Sequence, residues 1–123
     1  MNDKISTCIV RISNFPNIYE TEQLSPLSIV EKCGYFDLFS DIKIELISDY
    51  LTKNSEIIDS WIQFTEDIRH SPAWGFGFST DGKWIVTYLD NGNLIEKFTY
   101  DSKFDACAKM IKMTAESIRT NCL

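Results

Sequence analysis

The fold is decided by WGFGFSTDGKWIVTYLDNGNLIEKFTY, the segment at residues 74–100. It contains three runs of β-favouring residues, separated by two turns that carry Asp and Gly, Thr80–Lys83 and Asp90–Asn93. Asp-Gly is a strong hairpin signal, because Gly adopts the positive φ angles that a tight turn requires. The segment therefore predicts an antiparallel meander with strands over 74–78, 84–89 and 94–99.

The two faces of the first predicted strand differ in composition. Trp74, Phe76 and Phe78 share one face, whereas Gly75 and Gly77 lie between them on the other. Because glycine has no side chain, the second face would let another backbone or a helix approach closely.

Helical patterns surround the predicted sheet. Ser25 followed by Pro26 is a good helix start, and Gly34 is a good helix stop. Ser102 with Asp105 resembles a capping box with a shorter acid. Apolar residues recur at helical spacing between such signals, which predicts helices near 26–33, 38–52, 56–69 and after 101 or 102.

The first 23 residues predict a different pattern. Ile5, Thr7 and Ile9 alternate with polar residues, so that residues 4–12 predict a strand. Pro16 and its polar neighbours predict a loop that continues to residue 23. Together the elements predict one α+β domain over 1–123, with an antiparallel sheet packed against about four helices.

Carboxylates recur every four residues in and just before the helix predicted over 38–52, and we call them the acidic ridge: Asp37, Asp41, Glu45 and Asp49. On one helix they would lie within about a third of its circumference. Like charges at this spacing cost roughly 0.2–0.5 kcal/mol per pair, and the last two would lie near the helix end that prefers cations. The ridge predicts either a surface for a basic partner or an ordinary solvated face.

The net charge of −6 is concentrated in one part of the chain. Residues 35–70 hold 8 acidic and 3 basic residues, which gives −5. Such a surface repels nucleic acid and anionic lipid and attracts basic proteins, so direct binding to DNA or RNA is not expected. No apolar run approaches the roughly 18 residues that span a membrane, and no signal-peptide pattern is present. The sequence predicts a cytoplasmic protein.

Catalysis, metal binding and cofactor binding find little support in the sequence. His70 is the only histidine, and its position favours a helix C-terminus. No phosphate-binding glycine loop or calcium-loop spacing occurs. The cysteines are too far apart in the sequence for a metal knuckle or a CxxC pair, which predicts free thiols: Cys8, Cys33, Cys107 and Cys122. We expect no enzyme, cofactor or metal.

Aromatic and charged residues are dense between Trp61 and Trp74, as in an interface hot spot or a helix-to-strand junction over a core. The run Trp61-x-x-Phe64-Thr65-Glu66-Asp67-x-Arg69-x-Ser71-Pro72-x-Trp74, followed by a hairpin and a capped last helix, resembles small bacterial immunity proteins. These are encoded beside polymorphic toxins, including those of contact-dependent growth inhibition. The resemblance implies a role, which is the specific neutralisation of one toxin domain.

Many such toxins are basic nucleases, whose active-site clefts would accept an acidic surface. The first hypothesis is therefore a non-catalytic inhibitor of a cognate toxin domain, with its oligomeric state left open. Residues expected to bind the partner are the four ridge carboxylates together with Tyr35, Phe36, Tyr50, Glu66 and Asp67. The alternatives are a ligand-binding or adaptor module that uses the 74–78 strand, and a small enzyme that uses a cysteine and His70.

Overall fold

The computed structural model describes residues 3–67, 73–90 and 93–121, and it has an α+β fold. Seven helices and three strands lie within these residues. Their bounds are α1 Asp3–Ser13, α2 Phe15–Glu22, α3 Pro26–Lys32, α4 Tyr35–Leu38, α5 Ile44–Lys53, α6 Glu56–Asp67, β1 Ala73–Phe78, β2 Trp84–Asp90, β3 Asn93–Tyr100 and α7 Lys103–Asn121.

The three strands form one antiparallel sheet in the order β1-β2-β3, as predicted. Phe78 and Tyr100 both pair with Trp84, and the register shifts between Tyr88 and Leu89, where a bulge lies. The aromatic face of β1 meets the core and α7. The Trp74 Nε1 donates a hydrogen bond of 2.9 Å to the Ser117 Oγ, and Phe76 is buried.

The glycine face of β1 was predicted to let another backbone or a helix approach closely, and at Gly75 the group that approaches is a side chain of the neighbouring strand. A Cβ on Gly75 would lie 2.9 Å from the Thr87 Oγ1, so the space there is occupied by the neighbouring strand. A Cβ on Gly77 would have no atom within 4 Å. The close approach is therefore a cross-strand contact at one glycine only.

The prediction of an N-terminal strand over 4–12 is wrong, because this segment is helix α1. Ile5, Cys8, Ile9 and Ile12 lie three or four residues apart and face the core together, with Cys8, Ile9 and Ile12 at most 3% exposed. The alternation of Ile5 with Ile9 fits a strand only if the two other apolar residues are ignored. The 3.6-residue period places all four side chains against the core, with Ile5 partly buried, and this burial favours the helix.

The predicted loop between residues 14 and 23 is also wrong, because it contains α2. Pro16 lies in the first turn of this helix. Backbone N–H groups in the first turn have no hydrogen-bond partner within the helix, so the lack of an N–H in proline costs no helical hydrogen bond. Arg11 on α1 forms two hydrogen bonds of 3.2 and 3.3 Å to the carboxylate of Glu22. This ion pair joins the two helices, which meet at Asn14.

The prediction of a helix over 38–52 is wrong in its first part, because residues 39–43 are a non-helical interruption between α4 and α5, which begins at Ile44. The amides of Asp41 and Ile42 both donate to the carbonyl of Leu38 and close a turn. Ile42 and Ile47 are fully buried. Five residues of continuous helix rotate the chain by about 140°, which would send these two side chains to different sides. The interruption resets the helical phase and lets both enter the core.

The predictions for α3, α6 and α7 are confirmed. The Ser25 Oγ accepts a hydrogen bond of 3.1 Å from the amide of Ser28, and the Ser102 Oγ accepts one of 3.2 Å from the amide of Phe104. The long helix α7 packs against all three strands and against α1, α3, α5 and α6. None of the helices in the described ranges has both the length and the apolar composition needed to cross a lipid bilayer.

Trp61 on α6 is fully buried and anchors the N-terminal helices. Its Nε1 donates a hydrogen bond of 2.8 Å to the carbonyl of Ser13, the last residue of α1. The centre of its ring lies 6.0 Å from that of Phe15 and 5.8 Å from that of Phe64, so the three rings pack together. Trp61 therefore has the structural role that the sequence offered as the alternative to an interface hot spot.

Candidate protein-binding surface

The acidic ridge does not lie on one helix, so this prediction is wrong in its geometry. Asp37 lies on α4, Asp41 lies in the turn that follows, and Glu45 and Asp49 lie on α5. All four residues are exposed. Because the chain is interrupted between the second and third carboxylates, only Glu45 and Asp49 keep the helical spacing that places them on one face.

Glu45 was predicted near the C-terminal end of its helix, where a negative charge is unfavourable, but the structure places it at the N-terminal end. Since α5 begins at Ile44, Glu45 lies in its first turn, where the helix dipole favours a negative charge. Lys53 occupies the last turn and lies four residues after Asp49. The two exposed carboxylates of α5 therefore destabilise the helix less than carboxylates near its C-terminus would.

Three of the four ridge carboxylates each border a separate concavity. Asp37 borders a cavity of about 450 Å³ between α1 and α4, together with Lys4 and Lys32. Glu45 borders a cleft of about 440 Å³ beside α7. Asp49 borders a cleft of about 170 Å³ between α1 and α5. The acidic residues are thus spread over the surface around α4 and α5 and do not line a single groove.

The small cleft between α1 and α5 is where carboxylate and apolar groups meet. Tyr50 is half-buried there, and its hydroxyl accepts a hydrogen bond of 3.3 Å from the Asn14 Nδ2. Val10 lies on the opposite wall and is 40% exposed. Asp49 and Lys53 lie at the rim, so the cleft joins an exposed apolar spot to the acidic face of α5.

Tyr35 is not a surface anchor, and this prediction is corrected. Its side chain is fully buried, and its hydroxyl donates a hydrogen bond of 2.7 Å to the Glu116 Oε2 on α7. Burial and the neighbouring Glu116 raise the pKa of Tyr35 well above its ordinary value. Phe36 is half-buried and packs against the core. Of the three predicted aromatic anchors, Tyr50 alone lies in a cleft beside a ridge carboxylate.

A partly exposed charged network beside this surface has no counterpart in the sequence predictions. The Arg119 Nε and Nη2 donate hydrogen bonds of 2.8 and 2.9 Å to the Glu116 carboxylate. The Lys112 Nζ donates one of 2.6 Å to the carbonyl of Phe39, and it lies 4.9 Å from the centre of the Tyr35 ring. The network therefore fastens α4 and the following turn to α7.

The network stabilises the charged form of Glu116 but disfavours that of Lys112. The hydrogen bond from Arg119 lowers the pKa of Glu116, although partial burial opposes the shift. Burial lowers the pKa of Lys112. The only sequence signal for this network is the i, i+3 and i, i+4 spacing of Lys112, Glu116 and Arg119 on a helix. Their partners lie over 70 residues earlier, which local patterns do not reveal.

Glu66 and Asp67 are the last residues of α6, and their side chains lie outside the described part of the structure. His70, with Arg69 and Ser71, also lies outside the described residues. In the described ranges, no group of three or more His, Cys, Asp or Glu side chains is arranged to hold a metal ion. The partner role of Glu66 and Asp67 therefore stays a prediction, and the cysteine–histidine enzyme stays an untested alternative.

No family model matches the chain, and neither a curated protein nor a solved structure matches it.

Proposed function

We propose that this protein is a non-catalytic inhibitor that binds and neutralises a basic toxin domain, of the nuclease class, through the acidic face of α5. The observation that carries the proposal is the pair Glu45 and Asp49, which are exposed four residues apart on α5. Asp49 borders the cleft that holds Tyr50, and Glu45 borders the neighbouring cleft beside α7. The resemblance to immunity proteins supports the same role.

The charge arrangement suits a cationic cleft. Residues four apart on a helix are separated by about 6 Å along its axis, so Glu45 and Asp49 present two negative charges to a row of Lys or Arg side chains. Asp41 adds a third exposed carboxylate at the preceding turn. Nucleases hold phosphates with basic residues, and an acidic surface speeds encounter with such a site.

The cleft between α1 and α5 supplies the apolar component. Binding energy at protein interfaces is concentrated in a few desolvated anchors, and Tyr is among the residues enriched there. Tyr50 is half-buried and held by Asn14, so little side-chain entropy is lost when a partner covers it. The exposed Val10 adds apolar area to the same site.

The alternative of a ligand-binding or adaptor module that uses the 74–78 strand has less support. Phe76 is buried, and Trp74 is bonded to Ser117 on α7, so two of the three aromatic rings on this face of β1 pack against the protein itself, and Phe78 is 59% exposed. A groove on that face would require α7 to move away.

The test is a pull-down at low salt from the source organism with the tagged chain, followed by mass spectrometry. We expect one basic toxin domain, whose nuclease activity is blocked when the purified chain is added back. The double variant Glu45→Lys/Asp49→Lys should weaken binding by about tenfold or more and flatten its salt dependence.

The matched control is Glu56→Lys/Asp59→Lys. These two carboxylates are exposed on α6, so the control changes the net charge equally at a different place. Equal loss of binding in both double variants would mean that only net charge matters and would remove α5 as the interface. Recovery of a metabolic complex, with no inhibition of any nuclease, would refute the inhibitor role.

A further inference from the structure

Two cysteines far apart in the sequence meet between α1 and the end of α3. The Sγ of Cys8 and the Sγ of Cys33 are 3.4 Å apart, although 25 residues separate them in the chain. Both are free thiols. A disulfide has an S–S length of about 2.05 Å, so closure requires the two sulfurs to approach by about 1.4 Å. A shift of that size is within reach of small side-chain rotations.

The two thiols differ in their access to solvent. Cys8 is fully buried, whereas Cys33 is partly exposed and lines the cavity of about 450 Å³ with Lys4, Thr7 and Lys32. A small molecule in the cavity can therefore reach the sulfur of Cys33 while that of Cys8 stays covered. The cavity wall carries two lysines, Lys4 and Lys32, and two carboxylates, Asp3 and Asp37, so its formal charges balance.

The two thiols also differ in acidity. The hydrogen bond between them lowers the pKa of Cys33, and the charge of Arg11 acts in the same direction against the effect of burial. The same hydrogen bond and burial raise the pKa of Cys8. Cys33 is thus the thiol that ionises first, and the thiolate is the nucleophile in cysteine chemistry.

We propose that Cys33 and Cys8 form an oxidation site at which a hydroperoxide converts the pair into an intramolecular disulfide. The Cys33 thiolate attacks one peroxide oxygen, so that an S–O bond forms and the O–O bond breaks. The leaving oxygen takes a proton and departs as an alcohol or water. Cys33 becomes a sulfenic acid, and two electrons have passed from its sulfur to the peroxide.

The second step uses Cys8. Its sulfur attacks the sulfur of the sulfenic acid, the S–S bond forms, and the S–O bond breaks. The hydroxyl group leaves as water with the proton from the Cys8 thiol. The sum is two thiols and one hydroperoxide giving one disulfide, one alcohol and one water.

Cys107 is an internal control for the reactivity of the Cys8–Cys33 pair. It is fully buried on α7, and burial raises its pKa above the ordinary value for a thiol. A thiol in this setting is a poor nucleophile. The site is independent of the acidic face of α5, and its test does not depend on any partner.

The experiment treats the reduced full-length chain with hydrogen peroxide and maps its cysteines by mass spectrometry under non-reducing conditions. We expect the Cys8–Cys33 disulfide to accumulate while Cys107 stays reduced, and dithiothreitol to reverse it. Oxidation without this cross-link, or a first disulfide through Cys107 or Cys122, would overturn the proposal.

Variants assign the order of the two steps. Cys8→Ser should accumulate a sulfenic acid at Cys33 that dimedone traps, whereas Cys33→Ser should give no adduct at Cys8. Cys8→Ala serves the same purpose if the buried hydroxyl prevents folding, and circular dichroism checks each fold. A dimedone adduct at Cys8 but not at Cys33 would contradict the assigned roles.

Discussion

Replacing Trp61 with Phe should destabilise the protein by about 3 kcal/mol. The indole Nε1 donates to the carbonyl of Ser13 at 2.8 Å, and the change leaves that buried acceptor without its partner, at a cost of about 1–3 kcal/mol. The smaller ring also removes about two carbon positions of packing against Phe15 and Phe64, each worth about 0.8 kcal/mol. Native domains have only about 5–15 kcal/mol of stability, so the loss is large.

The measurement is urea unfolding followed by circular dichroism at 222 nm, with thermal unfolding as a second readout. A loss of this size lowers the Tm by roughly 10 °C. Trp74→Phe is the matched control, because its Nε1 also donates a hydrogen bond, but from a half-buried ring to the Ser117 hydroxyl. Because water can replace that hydrogen bond, we expect Trp74→Phe to lower the free energy of unfolding by about 1 kcal/mol. Equal losses for the two variants, or a loss below 1 kcal/mol for Trp61→Phe, would refute the assignment of Trp61 as the buried anchor of α1 and α2.

Gly34→Ala should cost about 1–2 kcal/mol in urea unfolding, because Gly34 has a φ of +89° that residues with a side chain rarely adopt. Gly77→Ala should instead leave stability unchanged or raise it by up to about 1 kcal/mol, since a Cβ there meets no atom within 4 Å; a loss as large as that of Gly34→Ala would contradict the strand geometry. The Arg119 guanidinium holds the pKa of Glu116 below its ordinary value of 4.5, so the stabilisation is present above that pH and is lost as the pH falls through the lower folded-state pKa. The Tm should therefore fall in acid less steeply for Glu116→Gln than for the natural chain, and parallel Tm profiles below about pH 4.5 would show that the pair contributes nothing.

The C-terminal half of the fold could be predicted because its signals are local. The two Asp- and Gly-containing turns define the meander, and Ser102 caps α7 as its sequence position indicates. Turn and cap residues act within four positions of each other, so their effect does not depend on the rest of the chain. The same holds for Ser25 at the start of α3.

The first 23 residues were predicted wrongly because their signals are ambiguous without tertiary contacts. Ile5 and Ile9 fit both a strand and a helix, and burial of Cys8 and Ile12 against other helices decides for the helix. Pro16 fits both a loop and a first helical turn. A single-sequence pattern has no access to the partner that resolves such a choice.

The predicted partner surface was found only in part for a similar reason. The four-residue spacing correctly selected exposed carboxylates, but the phase reset between Ile42 and Ile47 separates Asp37 and Asp41 from the pair on α5. Tyr35 was taken for a surface ring because its partner, Glu116, lies 81 residues away in the chain. Exposure of an aromatic residue depends on such distant contacts.

The position of α7 has a consequence for synthesis on the ribosome. Helices α1, α3 and α5 all pack against α7, which begins 50 residues after α5 ends. At about 5–20 residues per second, translation leaves the side of α5 that packs on α7 uncovered for roughly 3–14 s before residue 121 is joined, and the corresponding sides of α1 and α3 wait longer. During that interval the nascent chain offers a hydrophobic surface to chaperones, and a ribosome that stalls before α7 releases a product that cannot complete its core.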